Sequence, residues 1–363
     1  MNILFVTAYQ FLPQTVGGLH LSTDQLCHHL IKRGHKASVL SGFRPNGAFA
    51  LACKIQKKIL GRKVSRDTVM GYPVWRAWYP WEEIEYVVEK EQPDVIVALS
   101  GQFVRMGLAA QQTNIPVILR IYDAKTEWHG GDFEDLGDIQ CTACSRFVAD
   151  KYRDAYGVDP EVIYPIISAE KCRTKTSKEN ITFINPHPYK GRNIAFEIAR
   201  LCPDIPFSFV ESWILKGDER RELSEMMPHH PNVTLYPPQK DMRKVYGKCK
   251  ILLAPSIWEE AYGMVVTEAQ TSGIPVIASR RGGLPEAVGP GGILLDPEGP
   301  IDDWVKAVRK LWEDDDYYSK LSAAALAYSQ RPEMNPPDQV DEWERILTAA
   351  CNNERKMDLR KAG

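Results

Sequence analysis

The sequence predicts an α/β protein built from two doubly wound parallel sheets. The chain has 363 residues, which is more than one ordinary domain needs. Short apolar runs alternate with amphipathic helical segments in both halves, as in parallel α/β sheets. A polar, lysine-rich stretch at 170–180 interrupts this alternation and is typical of a linker. We therefore expect domains at 1–168 and 169–337, followed by a helix and tail at 338–363.

Each half contains a series of predicted strands with helices between them. The strands of the first half are predicted at 3–7, 37–41, 74–77, 95–99, 116–121, 139–143 and 162–164, and those of the second at 181–184, 207–210, 233–235, 251–254, 275–278 and 292–295. The helices predicted between and after them include 19–33, 81–89, 146–156, 192–202, 301–313 and 317–329. A final helix is expected at about 338–351, after the breaker Pro336-Pro337.

Composition predicts an ordinary cytoplasmic enzyme. The net charge of -2 gives no argument for nucleic-acid binding. The first residues run directly into a strand, without the basic and apolar segments of a signal peptide, and no window has the roughly 20 apolar residues that a bilayer span needs. The eight cysteines are scattered, which favours reduced core thiols over a metal site.

The most informative segment surrounds two glutamates, Glu260 and Glu268, which are separated by seven residues. An apolar strand at 251–254 precedes them, and Gly263 opens a helix. A turn from a strand into a helix leaves unpaired backbone N–H groups, which form a binding site for phosphate oxygens. Carboxylates on either side of that phosphate site would accept hydrogen bonds from sugar hydroxyls. The alternative is that both glutamates are solvated surface residues, as most glutamates are.

A second strand end and a lysine point to the same edge of the sheet. Gly282 and Gly283 follow the strand at 275–278, and glycine allows the backbone to approach a ligand closely. Lys190 lies just before the helix at 192–202, where a cation is unfavourable unless an anion binds beside it. The alternative for Lys190 is a solvent-facing loop residue. Ligands of open α/β sheets bind at the carboxyl ends of strands, which is where these residues lie.

These motifs resemble the retaining GT-B glycosyltransferases of glycosyltransferase family 4, also described as glycosyl transferases group 1. The first strand, the pair Gly17-Gly18 and the helix at 19–33 resemble the amino-terminal signature of that family. The resemblance implies two Rossmann-like domains facing each other across a cleft, with the last helix crossing back to the first domain. It also implies metal-independent, retaining transfer of a hexosyl group from a nucleoside diphosphate sugar to a hydroxyl of a glycan, lipid or small molecule, with no cofactor besides that co-substrate.

The resemblance also assigns roles to residues. Those implied in catalysis are Glu260, Lys190 and Asp123, and those implied in acceptor binding are His20, Tyr122 and His129. Those implied in donor binding are Gly17, Gly18, Lys190, Arg192, Glu260, Tyr262, Gly263, Met264 and Glu268. His20 could instead simply begin its helix, and His129 could belong to a rigid turn.

The sequence departs from the family pattern at two places. The family usually has an arginine shortly before the lysine, where this chain has Asn185-Pro186-His187. Either Arg192 or His187 replaces that arginine, or the donor phosphates are held more loosely. Tyr122 stands where the family often has a histidine before Asp123. These departures leave open a non-catalytic nucleotide-sugar-binding protein. A nucleotide-sugar epimerase on the same fold is a further alternative.

One further segment is not explained by this chemistry. Residues 48–66 contain six basic side chains interleaved with apolar ones at helical spacing. Such a basic amphipathic helix fits an anionic membrane surface or an acidic acceptor, which would make the enzyme peripheral at the membrane. The alternative is a surface helix that packs only on its own domain.

Overall fold

A computed structural model of the chain consists of two compact units. The first comprises Met1–Ile166 and Pro336–Gly363, and the second comprises Ile167–Asn335. The structure describes residues 1–125, 129–213, 215 and 217–361, and of residues 60 and 353–361 the backbone alone. The divisions thus follow residues 166 and 335, close to the predicted 168 and 337. The predicted linker at 170–180 lies inside the second unit, because it forms a short helix and the backbone of Glu179 and Asn180 binds the carbonyl of Lys248.

The first unit contains an eight-stranded sheet among its described residues. Its strands are β1 Asn2–Gln10, β2 Lys36–Gly42, β3 Val64–Asp67, β4 Val74–Ala77, β5 Val95–Leu99, β6 Val117–Ile121, β7 Gln140–Ala143 and β8 Glu161–Val162. Their order is β3-β4-β2-β1-β5-β6-β7-β8, and each neighbouring pair is parallel except β3 with β4. The chain reverses its direction of travel across the sheet between β1 and β5, and this reversal creates a crevice at the carboxyl ends of the two strands.

The helices of this unit up to β8 are α1 Gly18–Lys32, α2 Ala48–Leu60, α3 Ile84–Glu91, α4 Phe103–Gln111 and α5 Arg146–Tyr156. The prediction of a single helix over 48–66 is wrong beyond Leu60, because Gly61 adopts a left-handed conformation and β3 follows. The helix predicted from residue 81 begins instead at Ile84, because Pro80 starts a separate 3-10 turn.

The second unit contains a six-stranded parallel sheet. Its strands are β9 Asn180–Ile184, β10 Phe207–Val210, β11 Val233–Tyr236, β12 Cys249–Ala254, β13 Val276–Ser279 and β14 Gly292–Leu295, in the order β11-β10-β9-β12-β13-β14. Its helices are α6 Ala169–Cys172, α7 Arg192–Leu201, α8 Gly217–Met226, α9 Arg243–Tyr246, α10 Met264–Gln270, α11 Leu284–Val288, α12 Ile301–Glu313 and α13 Asp315–Ser329. Here the direction reverses between β9 and β12, which therefore flank the ligand crevice that this topology predicts.

The last helix, α14 Pro336–Lys361, belongs to the first unit. Its Val340, Trp343 and Ile346 are buried in the same apolar cluster as the β1 and α1 side chains. Gln339 donates to the carbonyl of Tyr164 at 3.0 Å, which fixes the beginning of the helix. The predicted return of the final helix to the first domain, and the predicted class of two doubly wound sheets, are confirmed. Within the described part of the chain, no helix is both long enough and apolar enough to span a bilayer.

Candidate active site

Two loops meet at the carboxyl ends of β9 and β12 in the second unit. One contains Lys190 and the other runs from Pro255 to Tyr262. The carbonyl of Tyr189 accepts hydrogen bonds from the amides of Ile257 and Trp258, both at 3.1 Å. Gly191 has a φ of 80°, and a Cβ atom there would lie 1.8 Å from the carbonyl oxygen of Pro255. Glycine at this position therefore allows the two loops to touch, so that they form a single wall of the crevice.

The side chains of these loops form a charged pair at the crevice. Lys190 Nζ lies 2.5 Å from Glu260 Oε1, and the hydroxyl of Ser256 donates to the same oxygen at 3.0 Å. The ammonium also lies 4.6 Å from the ring centroid of Trp213. The side chains of Lys190 and Glu260 are 18% and 15% exposed, so the pair is accessible yet partly shielded from water. The structure thus brings together two of the residues that the sequence predicts in catalysis.

Glu268, the second glutamate, lies on α10 in a different environment. It is 8% exposed, and its Oε2 accepts a hydrogen bond from the buried hydroxyl of Tyr246 at 2.8 Å. Burial raises the pKa of Glu268, and the bond from Tyr246 offsets only part of that rise. Within the described residues, no cation forms an ion pair with this carboxylate. Gly263, with a φ of 95°, directly precedes α10, in the turn predicted from the sequence.

The glycine pair after β13 serves loop packing. A Cβ atom on Gly282 would lie 2.5 Å from the carbonyl oxygen of Glu260, and one on Gly283 would lie 2.5 Å from that of Ala261. The amide of Gly283 also donates to the backbone carbonyl oxygen of Glu260 at 2.7 Å. These glycines thus closely approach the backbone that carries Glu260, and this contact holds that loop in place. Their predicted approach to a ligand stays a prediction.

Three other predicted donor residues have defined positions. Met264 is the first residue of α10, and the side chain of Tyr262 is buried, with its hydroxyl 2.9 Å from Thr267 Oγ1. Arg192 is 2% exposed, and its guanidinium binds Glu222 at 2.5 Å and the carbonyl of Glu219 at 3.0 Å. The structure thus directs Arg192 toward α8. Contact between Arg192 and donor phosphates stays a prediction, and the guanidinium would have to leave both partners to make it.

In the first unit, the glycine pair lies at the beginning of α1. Gly17 is the extended residue before the helix, and Gly18 is its first residue. His20 lies in the first turn, 5.9 Å from the ring of Phe11. Burial lowers the pKa of His20 to about 4, with a smaller opposing effect from the backbone of Gln10, so the ring is neutral at physiological pH.

Asp123 lies at the crevice between β1 and β5. Its Oδ2 accepts a hydrogen bond from the Tyr9 hydroxyl at 3.3 Å. Burial raises the pKa of Asp123 to about 6, although hydrogen bonds from Ser100, Tyr9 and the backbone of Gly101 act in the opposite direction. Tyr122, just before it, donates from its amide to Ser100 Oγ at 2.7 Å. The predicted pair is therefore held by residues at the ends of both strands.

His129 does not lie with these residues in an open position. It is 3% exposed, its Nε2 lies 2.5 Å from the Tyr152 hydroxyl, and its ring centroid is 4.5 Å from that of Phe103. This placement favours the structural alternative over the acceptor-binding one, because the imidazole is enclosed by aromatic rings. Glu127 and Trp128, which directly precede His129 in the sequence, lie outside the described residues.

Sequence reasoning missed the partners of the predicted carboxylates. Tyr246 binds Glu268, Ser256 binds Glu260, and Tyr9 binds Asp123. Tyr246 and Tyr9 are separated from their partners by 22 and 114 residues, so no local pattern could have indicated the contacts. Over the described ranges, no group of three or more histidine, cysteine or acidic side chains is arranged to hold a metal ion.

Family models match both halves of the chain. The model described as Glycosyltransferase Family 4 matches residues 16–171, and the model of glycosyl transferases group 1 matches residues 214–327. The D-inositol 3-phosphate glycosyltransferase of Corynebacterium kroppenstedtii is 40% identical over 96 residues, which are 26% of this chain and 21% of that protein. The one from Corynebacterium jeikeium is 44% identical over 96 residues, 26% of this chain and 22% of that protein. The matches thus span about a fifth of these curated relatives.

Solved structures resemble the chain over almost its whole length. Alr3699/HepE from Anabaena, in complex with UDP and glucose, has a TM-score of 0.76 at 19% identity, with 96% of this chain and 100% of that chain covered. Sucrose-phosphate synthase from Thermosynechococcus elongatus has a TM-score of 0.73 at 16% identity, with 96% and 99% covered. At such identities the likeness establishes the fold. The chain therefore has the GT-B fold, and it matches the Glycosyltransferase Family 4 model in its first half and the model of glycosyl transferases group 1 in its second.

Proposed function

We propose that this protein is a retaining glycosyltransferase that moves a hexosyl group from a nucleoside diphosphate sugar to a hydroxyl acceptor. The observation that carries the proposal is the pair of Lys190 and Glu260 at the crevice of the second unit. A cation at a partly shielded strand end suits a diphosphate, and a carboxylate 2.5 Å away suits the hydroxyls of the attached sugar.

Binding of the donor would replace the ion pair between Lys190 and Glu260 with contacts to the donor. The diphosphate oxygens bind Lys190 and the amides at the beginning of α10, while Glu260 accepts hydrogen bonds from the sugar hydroxyls. Glu268 accepts from the ribose hydroxyls. UDP sugars are the first donors to test, because the Anabaena protein was solved with UDP and with UDP-glucose.

The reaction breaks the bond between the anomeric carbon and the departing phosphate oxygen. The acceptor oxygen bonds to the same face of that carbon, and its proton passes to the departing phosphate. Lys190 stabilises the negative charge that develops on the diphosphate, which is a role that a metal ion has in other enzymes. We therefore propose that transfer is independent of divalent metal.

The first unit would contribute the acceptor side. Asp123 and Tyr122 are held beside Ser100 at the sheet crevice, and His20 lies in the first turn of α1. With a pKa of about 6, Asp123 is ionised at neutral pH and can accept a hydrogen bond from a sugar or acceptor hydroxyl. A glycan, a lipid or a small molecule remains a candidate acceptor, and a cytoplasmic location stays a prediction.

Nucleotide release and product stereochemistry test this function together. The protein is incubated with UDP-, GDP-, ADP- and TDP-sugars and a panel of hydroxyl acceptors, with and without EDTA. We expect one nucleotide class to be released in the presence of acceptor, with the donor's anomeric configuration in the product and no effect of EDTA. Conversion of the sugar without any acceptor would instead indicate an epimerase. Binding of a nucleotide sugar without turnover across the panel would favour the non-catalytic alternative, and inversion would refute the retaining mechanism.

A further inference from the structure

Helix α2 exposes aliphatic side chains although its other side already packs on the first unit. Ala50 and Cys53 are 0% and 5% exposed, within a small cluster that also contains Phe43. Leu51, Ile55 and Ile59 are 59%, 50% and 76% exposed. Residues four apart on a helix are neighbours, so these three form one row. These three exposed side chains do not pack in the core of the unit, so core packing does not explain why they are aliphatic.

Cationic side chains lie beside this row. Lys54 and Lys58 are exposed, and each follows a member of the row by three residues, which places them on the adjoining strip of the helix. The segment Ala48–Leu60 contains no aspartate or glutamate. Among the described residues, neither Lys54 nor Lys58 has a carboxylate partner. The outer side of α2 therefore combines an apolar row with adjacent positive charges.

An aromatic side chain extends this area. Trp78 is 51% exposed, and its ring packs edge-on against Phe43, with the centroids 5.0 Å apart. Phe43 belongs to the cluster under α2, and Lys57 of the helix lies 5.8 Å from the Trp78 ring. Tryptophan is enriched where proteins meet the boundary between water and lipid. We call Leu51, Lys54, Ile55, Lys58, Ile59 and Trp78 the α2 surface.

We propose that the α2 surface docks on the anionic lipid headgroups of a bilayer. The aliphatic row enters the boundary between headgroups and acyl chains, with the helix parallel to the membrane plane, while Lys54 and Lys58 contact lipid phosphates. A second copy of the chain fits this surface less well. In a two-fold dimer the same patch meets itself, and the unpaired lysines would lie opposite one another.

Vesicle flotation of the full chain tests this docking. The probes are vesicles of phosphatidylcholine alone and of equal parts phosphatidylcholine and phosphatidylglycerol. Two variants test the apolar and the charged parts of the α2 surface separately. Leu51→Ser/Ile55→Ser/Ile59→Ser removes the apolar row, and Lys54→Glu/Lys58→Glu reverses the charge beside that row. Matched controls are Ile31→Ser, an exposed isoleucine of α1, and Lys306→Glu/Lys320→Glu, which reverses the same charge in the second unit.

We expect binding to the anionic vesicles only, with a partition coefficient that falls at least about tenfold in each α2 variant and less than about twofold in the controls. A thermal melt of every variant checks folding, and a variant that melts early is replaced by the single changes Ile59→Ser or Lys58→Glu. The proposal is overturned by absence of binding, by equal binding to both vesicles, or by equal losses in the controls. It is also overturned if sedimentation velocity reveals a dimer that Leu51→Ser/Ile55→Ser/Ile59→Ser abolishes. Docking does not depend on the proposed donor, and nucleotide binding should be unchanged in all variants.

Discussion

Glu260 and Glu268 belong to one short segment, yet their carboxylates lie in different electrostatic environments. Glu260 lies on a loop, with the Lys190 ammonium at 2.5 Å and the Ser256 hydroxyl at 3.0 Å. Glu268 lies on a helix, is more deeply buried, and has only the Tyr246 hydroxyl as a hydrogen-bond donor from a side chain within the described structure.

This difference separates the expected roles of the two carboxylates. Lys190 and Glu260 neutralise each other, so that a diphosphate and a sugar hydroxyl can each replace one member of the pair. Burial of Glu268 opposes its charged form, as its raised pKa indicates. Such a carboxylate gains strongly from hydroxyl donors, because they satisfy acceptor capacity that the protein leaves open.

The largest expected effect on activity is that of removing the Lys190 ammonium. Lys190→Ala should lower kcat/KM by about a hundredfold to a thousandfold, because the departing diphosphate loses its positive partner. Steady-state kinetics measures this change. Lys175→Ala, at an exposed position of the same unit, is the control and should retain full activity. A Lys190→Ala enzyme within twofold of wild type would remove Lys190 from the mechanism.

Replacing the second carboxylate should mainly affect donor binding. Glu268→Gln keeps the shape of the side chain but replaces one acceptor oxygen with an NH₂ donor, and leaving a buried hydrogen-bonding group unsatisfied costs about 1–3 kcal/mol. We therefore expect the Kd for the nucleotide to rise about tenfold to a hundredfold, as measured by isothermal titration calorimetry. Glu313→Gln, at the end of α12, is the matched control. Unchanged affinity in Glu268→Gln would contradict the ribose-binding role.

Asp123 in the first unit extends the comparison to a third carboxylate. Its pKa is raised to about 6, so the folded state holds a proton more tightly than the unfolded state. The corresponding stabilisation is present below the unfolded pKa of about 4 and is lost as pH rises through about 6. Asp123→Asn should therefore gain about 2 kcal/mol relative to wild type on going from pH 4 to pH 8. Chemical denaturation at both pH values measures this, and a relative gain toward acid pH would contradict the buried-charge interpretation.

The smallest effect is expected at the hydroxyl that supports Glu268. Tyr246→Phe removes one hydrogen bond, which is worth about 1 kcal/mol, and should raise the nucleotide Kd about fivefold at neutral pH. Because the bond lowers the pKa of Glu268, its loss should also move the acid limb of nucleotide binding to higher pH. The buried groups next to this pair, Cys172 and Cys249, are neutral and would not titrate in that range. A weaker affinity with an unshifted pH profile would indicate a packing role only.

Elements with strong local signals could be predicted from the sequence. The apolar runs located β9, β12 and β13 within one or two residues, and Gly263 marked the beginning of α10. The end of α2 was missed because the basic and apolar pattern continues through Gly61 into β3, although a glycine at that place is a common signal for the end of a helix.

The chemistry of the candidate site was only partly predictable, because its contacts join distant parts of the chain. Lys190 and Glu260 are 70 residues apart and were singled out by charge and by resemblance, but the salt bridge between them was not foreseen. The same limit explains why the contact of Gly282 and Gly283 with the loop that carries Glu260 was not foreseen. At His129, sequence spacing could not reveal that Phe103 and Tyr152 enclose the ring.

The most direct test of the central claim is calorimetric titration of the full chain with UDP, GDP, ADP and TDP, repeated on Lys190→Ala and Glu268→Gln. We predict that one nucleotide binds wild type with a single site, that both substitutions weaken it at least about tenfold, and that Lys175→Ala and Glu313→Gln leave it unchanged. Binding that is equally strong in all variants, or no binding of any of the four nucleotides, would contradict the assignment of the donor site to Lys190, Glu260 and Glu268.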